Sequence, residues 1–285
     1  AEASLDPDRF LEREDFSNHW HAALTKQIAL QEASDQIEGA RKRSRRAELL
    51  ADQAKEHLAN EQWDLAKADW SAAIELDSEQ LENALASFRD LEQWKIASEF
   101  AWQYLEQQPD DSLRWVKVAP VMLKCEDREE YARFCHWVTQ QPVEEPDEAG
   151  KMIKACLLRA NVIDTAEFPV DTLRTALDQG NVPAWFQPWG WGTRALLAYR
   201  RGDSASAVRY IAKSEEYEPS ARAHAWNLAV LALAQHQLET GDEAKQALED
   251  ATEFITQLPA EPGSEHDLLI AQILLREAEA KINEP

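Results

Sequence analysis

The sequence predicts an all-α chain assembled from antiparallel helix pairs, and three observations lead there. Glycine is scarce, 8 residues in 285, and proline modest at 12; both fall below ordinary usage. Mixed α/β chains need glycines for tight turns and ligand loops, whereas abundant Ala, Leu, Glu and Gln favour helices joined by short turns. No run of β-branched residues alternates strictly enough to predict a strand. Small residues also recur at fixed spacing. Ala54 and Ala66, Ala195 and Ala207, and Ala232 and Ala244 are each twelve apart, and Ala73, Ser214 and Ala251 follow seven positions later. Where two antiparallel helices cross, small side chains let the axes approach closely.

Taken in order, residues 1–46 form an N-terminal segment and a long capping helix over 17–46. Ser17 stands at its N-cap position, and Trp20, Ala23, Leu24 and Ile28 make an apolar stripe that continues weakly to Ile37. Residues 47–112 hold two helix pairs. The first carries Leu50, Ala54 and Leu58, turns near 60–62, and returns with Leu65, Ala66, Ala73 and Leu76; the second is marked by Phe88, Trp94, Ala97 and Pro109. Residues 113–188 read as degenerate helical repeats followed by an aromatic and proline linker. Residues 189–256 hold two further pairs, the first turning at Gly202-Asp203. Residues 257–285 end the chain in a capping helix begun by Ser264, with a stripe of Leu268, Ile270, Ala271, Gln272, Leu275 and Ala278. The segments 140–150 and 258–266 are predicted loops.

These pairs resemble the tetratricopeptide repeat (TPR), a helix–turn–helix of about 34 residues. Trp191, Ala195, Ala207, Ser214 and Pro219 fall on that repeat's Trp, Gly/Ala, Ala, Ala and Pro positions. Leu50, Ala54, Ala66, Trp70 and Ala73 match in the first unit, and Leu228, Ala232, Ala244, Leu248 and Ala251 in the last. The order of units is similar to the repeat tails of large bacterial proteins that carry Ser/Thr-kinase or WD-repeat modules. The resemblance covers about residues 45–256. It implies a right-handed superhelical solenoid of antiparallel pairs with helical caps, and a non-catalytic scaffold that binds a protein or peptide on its concave face.

The formal charge is −23, from 53 acidic against 30 basic residues. Such a surface repels nucleic acid and anionic membranes and favours solubility or a basic partner. No segment approaches eighteen consecutive apolar residues, so no membrane insertion is expected. The three cysteines form no C-x-x-C, so neither a disulfide framework nor a zinc site is signalled. They read as buried small hydrophobes, and a cytoplasmic location, or a place in the soluble part of a larger protein, is the expectation.

The sequence carries no motif for chemistry. No phosphate-binding, dinucleotide, zinc-protease or nucleophile-elbow pattern appears, so no enzyme, cofactor or metal is expected. His19 and His21 lie two apart on a helix and diverge, as do Cys135 and His136. The basic run at 41–46 spreads around its helix as a solvated surface; its alternative is a contact for an acidic partner. Trp63, Trp70 and Trp94 read as core. By the repeat register the groove positions are Lys55, Arg89, Trp189, Tyr199, Arg200, Trp226 and His236. The cations Lys55, Arg89 and Arg200 would draw in an acidic segment over a floor of Tyr199 and Trp226. In "PAWFQPWGWG" two prolines favour extended backbone; Trp191 then packs inside its pair while Trp189 faces the groove. Two readings stand beside this one: a regulatory or structural spacer in a larger signalling protein, and an enzyme or ligand domain within 113–188. The latter would show a closed pocket with convergent polar groups and a perturbed ionisable residue.

Overall fold

The computed structural model describes residues 8–125, 128–259, 261 and 263–283, with side chains from residue 24 onward, Arg128 excepted. Among them are thirteen α-helices and no strand, so the chain is all-α. None of these helices is long and apolar enough to cross a membrane. Two compact units are distinguished, residues 1–84 and 85–285, and each is described by itself.

In the first unit, α1 (Asp8–Ala59) pairs with α2 (Trp63–Leu76). α1 starts at Asp8 and runs without a break past residue 46, so the capping helix and the first repeat helix are one element. Ser17 is an interior position, and the side chains of His19, Trp20 and His21 lie outside the described residues. Gly39 does not stop the helix, since one glycine costs only about 1 kcal/mol. Ala47, Ala51, Ala54 and Leu58 are buried in the pair with Ala66, Trp70 and Ala73, whereas Leu65 is exposed. The basic run at 41–46 is solvated, and Lys42 pairs with Glu38 at 2.8 Å.

In the second unit, α3 (Gln80–Asp90) enters from the first, and Phe88 stacks on Phe100 of α4 (Trp94–Gln107) with ring centroids 5.6 Å apart. The middle stretch holds two more pairs. They are α5 (Ser112–Lys124) with α6 (Arg128–Thr139), and α7 (Pro146–Cys156) with α8 (Val170–Asp178). Then come α9 (Gln187–Arg200) with α10 (Ser204–Glu215), α11 (Ala221–Gln237) with α12 (Gly241–Gln257), and a last helix, α13 (Glu265–Asn283). All nine small residues of the register, Ala54 to Ala251, have 0% exposure. That places each at a helix crossing, where a larger side chain would force the axes apart.

The turns inside the pairs share one backbone form. Glu61, Glu92, Gly202 and Glu239 each have positive φ. The amide of the next residue reaches back to the carbonyl five before it: Gln62 to His57, Gln93 to Phe88, Asp203 to Ala198 and Thr240 to Gln235. This is the left-handed closure that satisfies the last carbonyls of a helix. Side-chain caps then start the return or the next pair. Asp203 accepts from the Ser206 amide, Asp111 from Leu113 and Ser220 from Ala223.

Two segments differ from the sequence expectation. Residues 146–150 are not loop but the first turn of α7, because Pro146 fits a helix N-terminus and the Glu148 carboxylate accepts the Glu145 amide at 3.2 Å. Gln187 is likewise helical. Pro188 sits in the first turn of α9, where its missing N–H is no loss, so α9 begins before Trp189.

Cys135 and Cys156 are wholly buried between α6 and α7, beside Tyr131, whose hydroxyl donates to the Ala155 carbonyl at 2.7 Å and accepts from the Leu158 amide. Burial pushes the Cys156 thiol well up. His136, the neighbour of Cys135 in sequence, is exposed and contacts Gln140, so the two diverge as expected.

Candidate functional site

The first helices α5, α7, α9 and α11 are successive neighbours, and α13 contacts both ends of this row, α5 and α11. Local sequence sets how tightly the row packs. A Cβ on Gly190 would lie 2.8 Å from Leu177, and one on Gly192 2.7 Å from Asn227. The alternating glycines of "WGWG" therefore let α9 approach α8 and α11. Gly150 does the same for Phe186, whose ring lies 2.7 Å from where its Cβ would be. Behind this row, Ser214 donates to the Pro188 carbonyl at 2.7 Å, and Asn227 donates to Ser214 and Glu215. That network fixes α9, α10 and α11 against one another.

Cations from four helices reach carboxylates on or just before α13. Lys154 of α7 meets Asp267 at 2.6 Å, with the lysine side chain only 8% exposed. Arg200 of α9 grips both oxygens of Glu277 at 2.5 and 2.6 Å and also donates to the Leu157 and Leu158 carbonyls. Arg222 of α11 bonds the Pro259 carbonyl at 3.1 Å and lies 3.3 Å from Glu261. Arg89 of α3 lies 3.9 Å from Glu265 and closer to its own neighbour Asp90. The Lys154 ammonium also sits 3.9 Å above the Trp189 ring and 5.1 Å from that of Trp226.

Electrostatics follow from this crowding. Burial pushes the Asp267 carboxyl up, but Lys154, His266 and Arg222 together outweigh it and hold the group below its ordinary value. Burial, then Glu277, lifts the Tyr199 hydroxyl to about 12 against the opposing pull of Arg200. Burial pushes the His266 imidazole down to about 4; Asp267 draws it up, and Lys154 and Lys117 drive it lower again. An unfolded histidine takes up its proton near pH 6.5, the native one only near 4. Stability at His266 is therefore present above pH 6.5 and drains away as pH falls toward 4, by about 3 kcal/mol. His266→Gln is expected to remove that part of the acid sensitivity. Urea midpoints of both chains at pH 7 and pH 4.5 check it, and an unchanged gap between them would refute it.

Two of the cavities bordering α13 bear on this site. One, of 140 Å³, lies beside its first turn between Leu113, Val116, Trp185, Trp189 and His266. The other, of 650 Å³ and open to solvent, lies near its end beside Tyr199, His236, Glu277 and Lys281. Among the described residues, no group of three or more His, Cys, Asp or Glu is set to hold a metal ion.

The residues predicted from register divide accordingly. Arg89, Tyr199 and Arg200 lie against α13, whereas Trp226 packs against Gly192 of α9 with Lys154 5.1 Å from its ring. Arg200 is engaged by Glu277 and Tyr199 is largely buried, yet both border the open 650 Å³ cavity, whereas Trp226 is 2% exposed and meets no open groove. Trp189 is half-buried under Lys154, and His236 is exposed at the rim of the larger cavity. Lys55 belongs to the first unit, exposed and 3.0 Å from Asp52. Trp191 packs against Tyr210 of α10 with ring centroids 5.8 Å apart, inside its pair as expected. Phe186 covers the preceding pair, whereas Trp185 is 60% exposed. Of the three tryptophans read as core, Trp70 is fully buried and Trp63 and Trp94 half-buried.

Register did not find Lys154, Arg222, His266, Asp267 or Glu277. A signal for two of them exists. Asp267, Ile270, Leu274 and Glu277 share one helical face, so two carboxylates interrupt an apolar stripe where only paired charges are tolerated. Compared with known proteins, the chain matches no protein-family model and no curated protein.

Proposed function

We propose that the chain is a non-catalytic interaction scaffold, a TPR-like solenoid that binds a segment of a partner protein on the face of its first helices. The nine buried small residues support the repeat reading. One observation carries the functional one: four cations from four different helices are directed at carboxylates of α13 and of the linker just before it. A face that holds one acidic helix so has the chemistry to recognise a segment of similar kind.

A photo-crosslinking residue tests this when placed at His236, at the rim of that face, and at Lys213, on the outer helix α10. In the source cell the His236 position is expected to trap a partner protein and the Lys213 position to trap none. Equal trapping at both, or trapping at Lys213 alone, would refute the reading; none at either favours a spacer.

A second reading, a small-ligand site, has one observation in its favour. The 140 Å³ cavity brings aromatic walls, Trp185 and Trp189, beside His266 and the paired Lys154 and Asp267. Its lysines are committed to Asp267 and Asp147. A small aromatic compound bound there would shift the Trp189 indole resonance, and a fragment screen that moves no indole N–H ends this alternative.

A further inference from the structure

We propose that α13 is the resident occupant of a docking face, and that the partner supplies an acidic amphipathic helix that takes its place. This rests on the scaffold reading above and names the partner's chemistry. The cations of the seat, Arg89, Lys154, Arg200 and Arg222, all belong to the repeat helices, and the carboxylates all belong to the segment 261–277. Recognition is therefore divided between a basic receptor face and one acidic strip, as in a complex of two molecules.

The seat also differs in quality from the rest of the unit. The pairs α9–α10 and α11–α12 close on small residues with no exposed surface. Around α13, whose Ile270, Ala271, Leu274 and Ala278 are 0 to 1% exposed, lie the cavities of 140 and 650 Å³ and a third of 480 Å³ beside Leu248, Thr252 and Glu279. At one point like charges face each other: Arg276 of α13 helps push the Lys124 ammonium down, after burial. Buried ion pairs add little net stability, because desolvation offsets their attraction. The ion pairs of the seat are thus selective and not strongly adhesive, and the adhesion comes from buried Ile270, Leu274 and Leu275.

The tether sets the competition. α12 ends at Gln257 and α13 begins at Glu265. A short linker gives the attached helix an effective concentration on the order of millimolar. A partner helix of equal intrinsic affinity must exceed that to displace it, and a tighter one needs proportionally less. To fit the same seat, its helix needs carboxylates ten residues apart, in the manner of Asp267 and Glu277, flanking apolar residues like Ile270 and Leu274 on the same face.

The test uses the full chain and a fluorescein-labelled peptide of residues 264–283 as probe. In the variant Asp267→Lys/Glu277→Lys, lysines face Lys154 and Arg200 and the attached helix loses its seat. This variant is expected to bind the wild-type peptide at least 100-fold tighter than the wild-type chain does, and to ignore a peptide carrying the same two reversals. Hydrogen exchange is read alongside. In the variant, α13 amides should exchange freely while those of α9 and α11 stay protected; in the wild type, α13 should exchange at least tenfold faster than α11. No gain in peptide binding with α9 and α11 protected, collapse of that protection in the variant, or equal protection of α13 and α11 in the wild type would each overturn the proposal. Peptide binding as expected without a crosslink at His236 would leave the docking face standing and remove the protein-partner reading alone.

Discussion

Replacing Arg200 with alanine is expected to lower the folding free energy by about 3 to 5 kcal/mol, the usual result of removing one partner of a buried ion pair. Its side chain is 4% exposed and makes four hydrogen bonds: two to Glu277, one to the Leu157 carbonyl and one to the Leu158 carbonyl. Alanine leaves a carboxylate, 21% exposed, and two carbonyls without that donor. Lysine is not a remedy, because it has no planar fork to serve both carboxylate oxygens. Removing both charges is different. Arg200→Met with Glu277→Leu is expected to recover most of the loss, since no unpaired charge then remains. Urea unfolding with unchanged slope measures both variants. An Arg200→Ala loss below about 1 kcal/mol would show that the pair behaves as a surface bridge.

Trp226→Ala is expected to cost a similar amount, about 3 to 5 kcal/mol, as for other large buried aromatics. The ring is 2% exposed and fills the space opposite Gly192, with the Lys154 ammonium 5.1 Å from its centroid. Its indole nitrogen is buried without a hydrogen-bond partner. Phenylalanine would therefore lose bulk but no hydrogen bond, and Trp226→Phe is expected to cost clearly less than Trp226→Ala. Thermal melts of the two variants separate a packing residue from a binding one. If Trp226→Ala melts with the wild type, the side chain is not core and its burial against α9 counts for little.

How far the sequence could be read depended on whether the information was local. Twelve-residue spacings of small residues found the helix crossings, because a crossing constrains the side chains that meet there and little else. The repeated Glu-Gln-Trp at 61–63 and 92–94 marks two of the left-handed turns, a signal as local as the first. The errors arose where local signals compete. Ser17 resembles a cap, but nothing nearby breaks the helix, so α1 begins earlier. Pro146 and Pro188 resemble loop residues, but a proline in a first helical turn conflicts with nothing. The candidate site was half legible. Register put Arg89, Tyr199, Arg200 and Trp226 on one face, which is a property of each helix alone. That α13 returns to cover this face depends on pairings such as Lys154 with Asp267, 113 residues apart, which no periodicity records. Lys55 was assigned to the same group because register counts repeats and does not see where a compact unit ends.

The three thiols give the molecule a clock. Cys125 is partly exposed, whereas Cys135 and Cys156 are shut between α6 and α7. A thiol reacts only as thiolate and only where reagent reaches it, and burial holds Cys156 protonated as well as hidden. Alkylation of Cys125 therefore proceeds from the native chain, while modification of the other two waits for α6 and α7 to part. Their labelling rate reports how often that seam opens.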